Sequence, residues 1–405
     1  MSSPPDPADR IRAWGAELGL AVGFARPDLA DAARHYREWI YNHRHGQMHY
    51  LARRLEERAD PGLVLEGFKT AIVVTDPYPG GDVFGELADP SRGYIARYAR
   101  GADYHDGLKA RLFELMARVE EIAPQVRHRI YVDTGPLLEK ELAVQAGLAW
   151  RGKHSNLLTQ GGNWFLLGVV LTDLDLPADP PMTDHCGTCT ACLDACPTDA
   201  FMRPYALDAT RCVSYLTIEL KEAIPRELRQ GIGNRVFGCD DCIGICPWHP
   251  GTPGDDKRGE HPGLEGENQA TTGAGARLEG LEATREGGPD PAYDARPITD
   301  APALLELMAL SREEFSRNFK RTPLFRTKRR GLLRNVAVAL GNWGDAAAIP
   351  ALSAAMEDDE PLIRGHAAWA LGRIATPEAW HALEAAREAE EDEWVLQEIE
   401  LALTA

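Results

Sequence analysis

The sequence of 405 residues lacks three features: cysteines outside one short stretch, long apolar runs, and an excess of positive charge. All eight cysteines lie between Cys186 and Cys246, whereas a secreted domain held by disulfides is small and spreads its cysteines more widely. The longest uncharged apolar run, Trp164–Leu171, is too short for a membrane span, and residues 1–10 are polar. We therefore expect no signal peptide, no membrane partner and a reducing, cytoplasmic location.

The deficit of positive charge limits the partners of the protein as a whole. A formal net charge of −18 argues against nucleic-acid binding by bulk electrostatics, because phosphates need local positive potential. Residues 312–334, here called the basic segment, are the exception. Only Glu313 and Glu314 oppose the basic residues there, which are Arg312, Arg317, Lys320, Arg321, Arg326, Lys328, Arg329, Arg330 and Arg334. The basic segment is either a local phosphate-binding surface or a solvated face.

The pattern of apolar residues divides the chain into four regions. Near the N-terminus, β-branched runs such as Ala71–Thr75 and Arg129–Asp133 alternate with helical spacing, as in Leu108–Ile122. This alternation predicts an α+β (α/β-type) fold. The predicted regions are an α+β domain at 1–180, a cysteine-rich module at 181–249, a Gly-, Pro- and Glu-rich flexible insertion without a core at 250–296, and a helical region at 297–405.

The helical region contains an internal repeat. Arg334–Gly341 aligns with Arg364–Gly372 when one gap is allowed, and the two Leu-Gly pairs are 31 residues apart. Glu393–Leu403 is a weaker third copy, while Ile349–Leu352 and Ala379–Leu383 supply partner helices. Two-helix repeats stack as a HEAT-like α-solenoid, although this period is slightly short for HEAT. We expect a small helical module packed on the rest of the chain.

The cysteine spacing indicates iron–sulfur chemistry. The run from Cys186 to Cys196, with a proline directly after it, is that of bacterial two-cluster ferredoxins, in which the fourth cysteine ligates the other cluster. The second run, from Cys239 to Cys246, has one cysteine fewer, and Cys212 upstream can replace it. We predict two [4Fe–4S] clusters, one held by Cys186, Cys189, Cys192 and Cys246, and the other by Cys196, Cys212, Cys239 and Cys242.

Two alternatives to this assignment stay open. Loops could keep all four cysteines of the first run on one cluster. Pairs of cysteines at this spacing are also common in zinc ribbons, but a zinc site does not need three cysteines at two-residue spacing followed by Cys-Pro. The pattern therefore favours electron transfer over a structural zinc site.

Two further motifs each have a structural and a functional interpretation. Gly147–His154 nearly matches a phosphate-binding P-loop, but His154 stands where Ser or Thr should hold magnesium. We expect a basic turn in which Lys153 and His154 face a ligand or solvent. Asp133 ends a strand-like run before a helix-like one, so it could cap that helix, or donate a proton if burial raised its pKa.

Together, the motifs resemble the epoxyqueuosine reductases, cobalamin-dependent iron–sulfur enzymes of queuosine-tRNA maturation. The resemblance covers nearly the whole chain and rests on the order and spacing of motifs that are individually weak. Besides the two cysteine runs, these motifs are Gly46–Leu51, Arg58–Pro61, Tyr98–His105, Asp133–Pro136, Gly152–Asn156, Arg211–Thr217, Ile232–Cys239 and Lys328–Asn335.

The resemblance implies a reaction and a set of site residues. Epoxyqueuosine at the wobble position of tRNA would lose its epoxide oxygen, giving queuosine and water, with electrons from an unidentified low-potential donor. Asp133 falls on the family's proton donor, which favours that role over capping. The residues expected around base-off cobalamin and substrate are Arg58, Arg97, Tyr104, His105, Lys153, Ser155, Asn156 and Ser214. Those expected to bind the anticodon stem-loop are Arg326, Lys328, Arg329, Arg330 and Arg334.

The expected protein is a monomer with an α+β catalytic domain, a ferredoxin-like module with two clusters, and C-terminal HEAT-like repeats. It departs from the family in the long 250–296 insertion, which leaves the placement of the helical module open, and in His249, where Asn is usual. Two other interpretations compete. A reductive dehalogenase also combines cobalamin with two clusters but is typically exported, and a ferredoxin-like carrier with a HEAT-type docking tail has no use for the 1–180 domain.

Overall fold

A computed structural model describes residues 6–248 and 289–404 of the chain. His249 and most of the predicted insertion lie outside the described residues. The strands of the N-terminal part are β1 (Ala21–Ala25), β2 (Thr70–Pro77), β3 (Tyr94–Ile95), β4 (His128–Tyr131), β5 (Trp150–Arg151), β6 (Leu157–Leu158) and β7 (Phe165–Thr172). Four of them form an antiparallel sheet in the order β1-β2-β7-β4.

Helices cover both faces of this sheet. They are α1 (Pro7–Glu17), α2 (Ala30–Tyr41), α3 (His49–Ala52), α4 (Leu55–Ala59), α5 (Val83–Leu87), α6 (Tyr104–Ile122) and α7 (Glu139–Gln145). Successive side chains of a strand point to opposite faces. Ile72 of β2 therefore packs in one core with Leu112 of α6, whereas its neighbour Val73 packs in a second core with Leu142 of α7. The α+β expectation for this part agrees with the structure.

The strand predicted at Arg129–Asp133 ends earlier than expected. β4 stops at Tyr131, and Asp133 has a backbone φ of +58°. This left-handed conformation is incompatible with an extended strand. The early end of β4 places Asp133 on a loop at the edge of the sheet.

The cysteine-rich module has little regular structure and is joined to the N-terminal part by backbone pairing. Its elements are α8 (Ala191–Asp194), β8 (Phe201–Arg203), β9 (Ala206–Leu207), α9 (Val213–Ile218), α10 (Arg226–Ile232), β10 (Arg235–Phe237) and α11 (Asp241–Gly244). β10 pairs in parallel with β3. The Asn234 amide adds hydrogen bonds of 3.0 to 3.3 Å to three carbonyls, those of Leu87, Asp89 and Arg92. The module is therefore fixed against the catalytic half of the chain.

The C-terminal part consists of paired helices. They are α12 (Leu304–Met308), α13 (Arg312–Phe319), α14 (Lys328–Trp343), α15 (Ile349–Ala355), α16 (Pro361–Ile374), α17 (Pro377–Ala389) and α18 (Glu393–Leu403). The three copies of the repeat are α14, α16 and α18. A Cβ added to Gly341 would lie 2.8 Å from Cα of Ala370, and one added to Gly372 would lie 2.8 Å from Cα of Ala402. The repeated glycines thus allow consecutive helices to cross closely.

The end of the predicted insertion differs from expectation. Tyr293 is only 4% exposed and lies in the core between the sheet and α6. Its hydroxyl donates to Asp76 and accepts a hydrogen bond of 2.8 Å from Arg111. The prediction that residues up to 296 contribute no core is wrong there, because one aromatic side chain in a polar segment suffices to anchor it. Among the described helices, none is both long and apolar enough to cross a membrane.

Candidate active site

Asp133 does not cap a helix. α7 begins only at Glu139, and its N-cap position is occupied by Leu138, without a side-chain cap. The Asp133 side chain is 57% exposed. Its Oδ2 accepts a hydrogen bond of 3.1 Å from the Tyr104 hydroxyl and lies 3.6 Å from Nε2 of His105. The structure therefore brings Asp133, Tyr104 and His105 together.

His105 lies between two carboxylates at the start of α6. Its Nδ1 is 2.7 Å from Oδ1 of Asp103, the N-cap residue of the helix, and Nε2 faces Asp133. The ring of Tyr104 stacks on the imidazole with centroids 4.1 Å apart. The imidazole is thus held by contacts at both nitrogens and on one face.

These groups set one another's protonation. Burial lowers the pKa of His105, but the interactions with Asp103 and Asp133 outweigh it and raise the pKa to about 9. The same interaction with His105 lowers the pKa of Asp133, against the opposing effect of burial. The condition on which the sequence suggested a proton donor, a carboxyl with a raised pKa, is therefore not met. Near neutral pH the proton rests on His105.

Beside Asp133, polar atoms are buried without a partner. Within the described residues, Nε of Arg58, Oε1 of Glu139 and Oγ of Ser155 have no hydrogen-bond partner. Arg58 holds the loop that follows Asp133 through hydrogen bonds of 3.3 Å to two loop carbonyls. Burial, reinforced by the charge of Asp133, raises the pKa of Glu139 to about 8. Unpaired buried polar atoms are costly, so they favour a polar ligand in this space.

Lys140 connects this space to the cysteine-rich module. Its Nζ donates to the Ser155 carbonyl at 3.0 Å and to Oδ1 of Asn156 at 2.7 Å. Desolvation and the charge of Arg151 lower the Lys140 pKa to about 8, while Asp133 and the thiols of Cys212 and Cys242 act in the opposite direction. Lys140 is therefore within electrostatic reach of both Asp133 and the second predicted set of cysteines.

Cysteines from both runs line the same small cavity. Lys153 and His154 also line it, and both are buried. Lys153 donates to the carbonyls of Gly187 and Cys189 at 2.6 and 2.8 Å, and burial lowers the His154 pKa to about 4. The two residues therefore support the cysteine loop and do not face Asp133. The cysteines that line the cavity are Cys186, Cys189, Cys192 and Cys246.

The other four cysteines are also neighbours. The thiol of Cys212 interacts electrostatically with those of Cys196 and Cys242, and Cys239 with Cys242, while Cys242 also senses Cys192 of the first set. Backbone N–H groups of Tyr215 and Ser214 bond to the Cys212 sulfur, against the effect of burial, which raises its pKa. Ser214 therefore belongs to the surroundings of Cys212.

Arg97 is engaged elsewhere. Its Nη1 donates to the Gly80 carbonyl at 2.7 Å, and Nη2 pairs with Glu86. The backbone N–H of Arg97 also donates to Asp240 at 2.8 Å. The Nη atoms of Arg97 therefore connect the loop at Gly80 to α5, while its Nε, like that of Arg58, is buried without a hydrogen-bond partner, and its cofactor contact stays a prediction.

Part of the basic segment reaches the space around Asp133. Arg326, Lys328 and Arg330 are exposed. Arg326 pairs with Glu219 at 2.8 Å and donates to the Tyr50 hydroxyl at 3.3 Å, and its charge lowers the Asp133 pKa further. Arg326 therefore lies near Asp133, and together with the exposed Lys328 and Arg330 of the same segment it is here called the basic face.

Two predicted phosphate-binding residues are not free for that role. Arg334 is 1% exposed and donates to three carbonyls of the cysteine-rich module, those of Leu216, Leu220 and Glu222, at 2.7 to 2.9 Å. Arg329 pairs with Asp358 at 2.7 Å and donates to the Leu310 carbonyl. Arg334 therefore attaches the helical module to the cysteine-rich module, which corrects its predicted role.

Comparison with known proteins identifies the family. The family model "Epoxyqueuosine reductase QueG, DUF1730" matches residues 58–134, "4Fe-4S double cluster binding domain" matches 185–249, and "HEAT repeats" matches 324–404. The epoxyqueuosine reductase of Pseudomonas aeruginosa is 40% identical over 92% of this chain and 96% of its own length. That of Xanthomonas campestris pv. campestris is 38% identical over 91% and 97%. The chain belongs to the epoxyqueuosine reductase family.

Solved structures agree with this assignment. A selenomethionine-labelled epoxyqueuosine reductase is 30% identical, with a TM-score of 0.81 over 98% of both chains. An epoxyqueuosine reductase with a tRNA-Tyr epoxyqueuosine-modified stem loop is 29% identical, with the same TM-score and coverage. The predicted family, oxidoreductase class, iron–sulfur clusters and HEAT repeats are confirmed. The zinc-ribbon, dehalogenase and electron-carrier interpretations are not favoured.

In this epoxyqueuosine reductase family member, sequence reasoning missed several residues of the site. They are Asp103, beside His105, and Glu139 and Lys140, which follow the Asp133 loop. Asp103 stands two positions before His105 in the Tyr98–His105 motif, the spacing at which an N-cap aspartate meets the helix backbone. The adjacent acid and base at 139 and 140 carried no signal beyond an ordinary helix start.

Proposed function

We propose that this enzyme reduces epoxyqueuosine at the wobble position of tRNA to queuosine, with the epoxide oxygen lost as water. The position of Asp133 carries the proposal. The charge of Arg326 reaches it, and Lys140 interacts electrostatically both with Asp133 and with the thiols of Cys212 and Cys242. A proton donor, an electron source and a tRNA-facing surface would then meet at one place. The structure of a relative with an epoxyqueuosine-modified stem loop supports this class of substrate.

Asp133 would deliver a proton to the oxygen as the C–O bond breaks. Tyr104 holds Oδ2 through its hydrogen bond, and His105 keeps a proton 3.6 Å away. Transfer to the departing oxygen is favourable, because an alkoxide is far more basic than a carboxylate. Half exposure of Asp133 leaves room for a substrate oxygen to reach it.

The unpaired polar atoms fit the binding of base-off cobalamin in the space beside Asp133. The amide groups of such a cofactor can satisfy Nε of Arg58, Oε1 of Glu139 and Oγ of Ser155, with Lys140 and Asn156 at the edge. Bound cobalamin would supply a reducible cobalt centre for C–O cleavage. The chain itself would orient the epoxide, exclude water and hold the proton at His105 and Asp133.

The two groups of cysteines support the predicted ligand assignment. Each group combines cysteines from distant parts of the sequence, as in two-cluster ferredoxins. The set containing Cys212 and Cys242 is the one next to Lys140. It would therefore pass electrons towards Asp133, while the set lining the cavity would receive them from a low-potential donor. The monomeric state and the cytoplasmic location remain predictions.

The basic face would bind phosphates of the anticodon stem-loop. Phosphate contacts fix register and orientation without reading sequence, and they need exposed cations. Arg326, Lys328 and Arg330 meet that condition, whereas Arg334 does not. Because Arg326 is also close enough to lower the Asp133 pKa, the wobble nucleotide of a bound stem-loop could enter the site.

The proposal is tested by turnover of the reconstituted enzyme. Protein with both clusters, cobalamin and a chemical low-potential reductant is given tRNA containing epoxyqueuosine under anaerobic conditions, and nucleosides are analysed by mass spectrometry. We expect queuosine to form, and to fail to form when cobalamin is omitted. Matched reactions contain tRNA with guanine at the wobble position, or an organohalide. Absence of queuosine while the cluster absorption is intact would contradict the proposal, and halide release would favour a dehalogenase.

A further inference from the structure

We propose that Asp103 is a positioning residue for proton delivery: it fixes the imidazole of His105 so that Nε2–H faces Asp133, and His105 supplies the proton that Asp133 passes to the substrate. The inference rests on the proposed function, because the path is needed only if a reaction at Asp133 consumes protons. It assigns a role to a carboxylate that contacts the backbone N–H and the imidazole of His105.

The geometry supports this role at both nitrogens of the imidazole. The 2.7 Å contact between Nδ1 and Asp103 fixes Nδ1 as a donor, which leaves Nε2 to face Oδ2 of Asp133 at 3.6 Å. That distance exceeds a hydrogen bond but is within ion-pair range, and small side-chain motions can close it. Stacking on Tyr104 limits rotation of the ring. The imidazole can therefore exchange a proton with only one of the two carboxylates.

In the proposed proton path, every bond that breaks is matched by one that forms, and no electron transfer is required. The Nε2–H bond of the His105 imidazolium breaks as an O–H bond forms on the Asp133 carboxylate, and that O–H bond breaks in turn as the departing substrate oxygen gains the proton. Water then returns a proton to His105. Asp103 keeps its negative charge throughout and stabilises the imidazolium, as an orienting carboxylate does for a catalytic histidine.

The charges around His105 agree with this order of events. Asp103 and Asp133 favour the protonated imidazole. The other charged groups nearby are Arg326, which lowers the Asp133 pKa, and Glu139, whose own pKa Asp133 raises and His105 lowers. Tyr104 adds a neutral hydroxyl to Oδ2. Of these groups, Asp103 is the one whose carboxylate contacts Nδ1.

Asp103 also has a structural role that a test must separate. Its Oδ1 accepts the backbone N–H of His105 at 3.1 Å and so caps α6. Serine caps helices about as well as aspartate, but its shorter, uncharged side chain does not reproduce the contact with Nδ1. Asp103→Ser therefore removes the proposed function while the cap is retained. Asp106→Ser removes one charge from the same first turn and is the matched control.

The first measurement reports the pKa of His105 without turnover. Histidine C2 hydrogen–deuterium exchange is followed by mass spectrometry on the holoenzyme as a function of pH, and trypsin releases residues 101–109, which contain His105 and no other histidine. We expect a pKa near 9 in the wild type and in Asp106→Ser, and a value lower by about one unit or more in Asp103→Ser. An unchanged pKa in Asp103→Ser would overturn the inference.

The second measurement is the pH dependence of queuosine formation. Since His105 must be protonated, kcat should fall as the pH rises through its pKa, so the fall should begin at lower pH in Asp103→Ser with KM for tRNA unchanged. Asp103→Glu should restore part of the wild-type profile. A uniform loss of rate with an unshifted profile would show that Asp103 is only a cap. If the wild type makes no queuosine, the proposed function fails, and the proton path fails with it, whatever the exchange data show.

Discussion

Neutralising the basic face should weaken tRNA binding and flatten its salt dependence. The variant is Arg326→Gln, Lys328→Gln and Arg330→Gln combined. Each phosphate contact on a single strand contributes about 0.7 to the slope of log K against log salt concentration. Loss of three contacts should therefore reduce the slope by about 2.1. If the ion pair with Glu219 keeps Arg326 from binding phosphate, only two contacts are lost and the slope should fall by about 1.4.

The corresponding loss of affinity is large enough to measure. With a reference of 1 M salt, a slope change of 1.4 to 2.1 means roughly 25-fold to 100-fold weaker binding at 0.1 M salt. Fluorescence anisotropy of a labelled anticodon stem-loop at several salt concentrations gives both quantities. The clusters should keep their absorption, because the three side chains are exposed and distant from the cavity of the first cysteine set.

A matched variant distinguishes phosphate binding by the basic face from a general attraction by all cations of the basic segment. Arg312→Gln, Arg317→Gln and Lys320→Gln remove three exposed cations from the same basic segment, on or beside α13. We expect a much smaller change of slope, since the charges that shift the Asp133 pKa include that of Arg326 and none of these three. Equal slopes for the two variants, or a slope unchanged from the wild type in the first, would refute the assignment.

Three other predictions concern the site and its scaffold. Asp133→Asn should lower queuosine formation by about 100-fold or more without loss of cluster absorption, and an unaltered rate would remove Asp133 from the mechanism. Cys246→Ala should perturb the same cluster EPR signal as Cys186→Ala, whereas Cys196→Ala should perturb the signal of the other cluster. If Cys186→Ala and Cys196→Ala perturb the same signal, all four cysteines of the first run belong to one cluster. Arg334→Ala should lower the free energy of unfolding by about 3 kcal/mol, measured with urea, because three buried carbonyls lose their donor; a change below about 1 kcal/mol would contradict this account.

Local features were predictable wherever a short stretch of sequence contains all the groups concerned. The repeat was visible because Gly341 and Gly372 meet the same packing demand at each helix crossing. The end of β4 could not be predicted, because a single residue in the left-handed conformation leaves no periodic pattern. The burial of Tyr293 could not be predicted either, because one anchoring aromatic residue leaves no such pattern. Composition did not predict that Tyr293, at the end of the insertion, packs in a core.

The sequence alone could not predict which side chains of the site are protonated. Asp133 could be singled out as a proton donor, but its lowered pKa depends on His105, and the raised pKa of His105 depends on Asp103 at its other nitrogen. A pKa is the sum of burial and neighbouring charge, and both are properties of the folded arrangement. The sequence therefore identified Asp133 as a candidate acid but did not predict which side chain carries the proton.

The sequence by itself determined the cluster chemistry, the helical repeat and the family, because each depends on the spacing of residue types along the chain. Only the tertiary structure decided which cations can meet a phosphate. Arg326 and Arg334 belong to the same basic segment, but one is exposed near Asp133 and the other is buried against carbonyls more than 100 positions away in sequence. Burial and pairing between distant segments, and not residue type, separate a binding residue from a structural one.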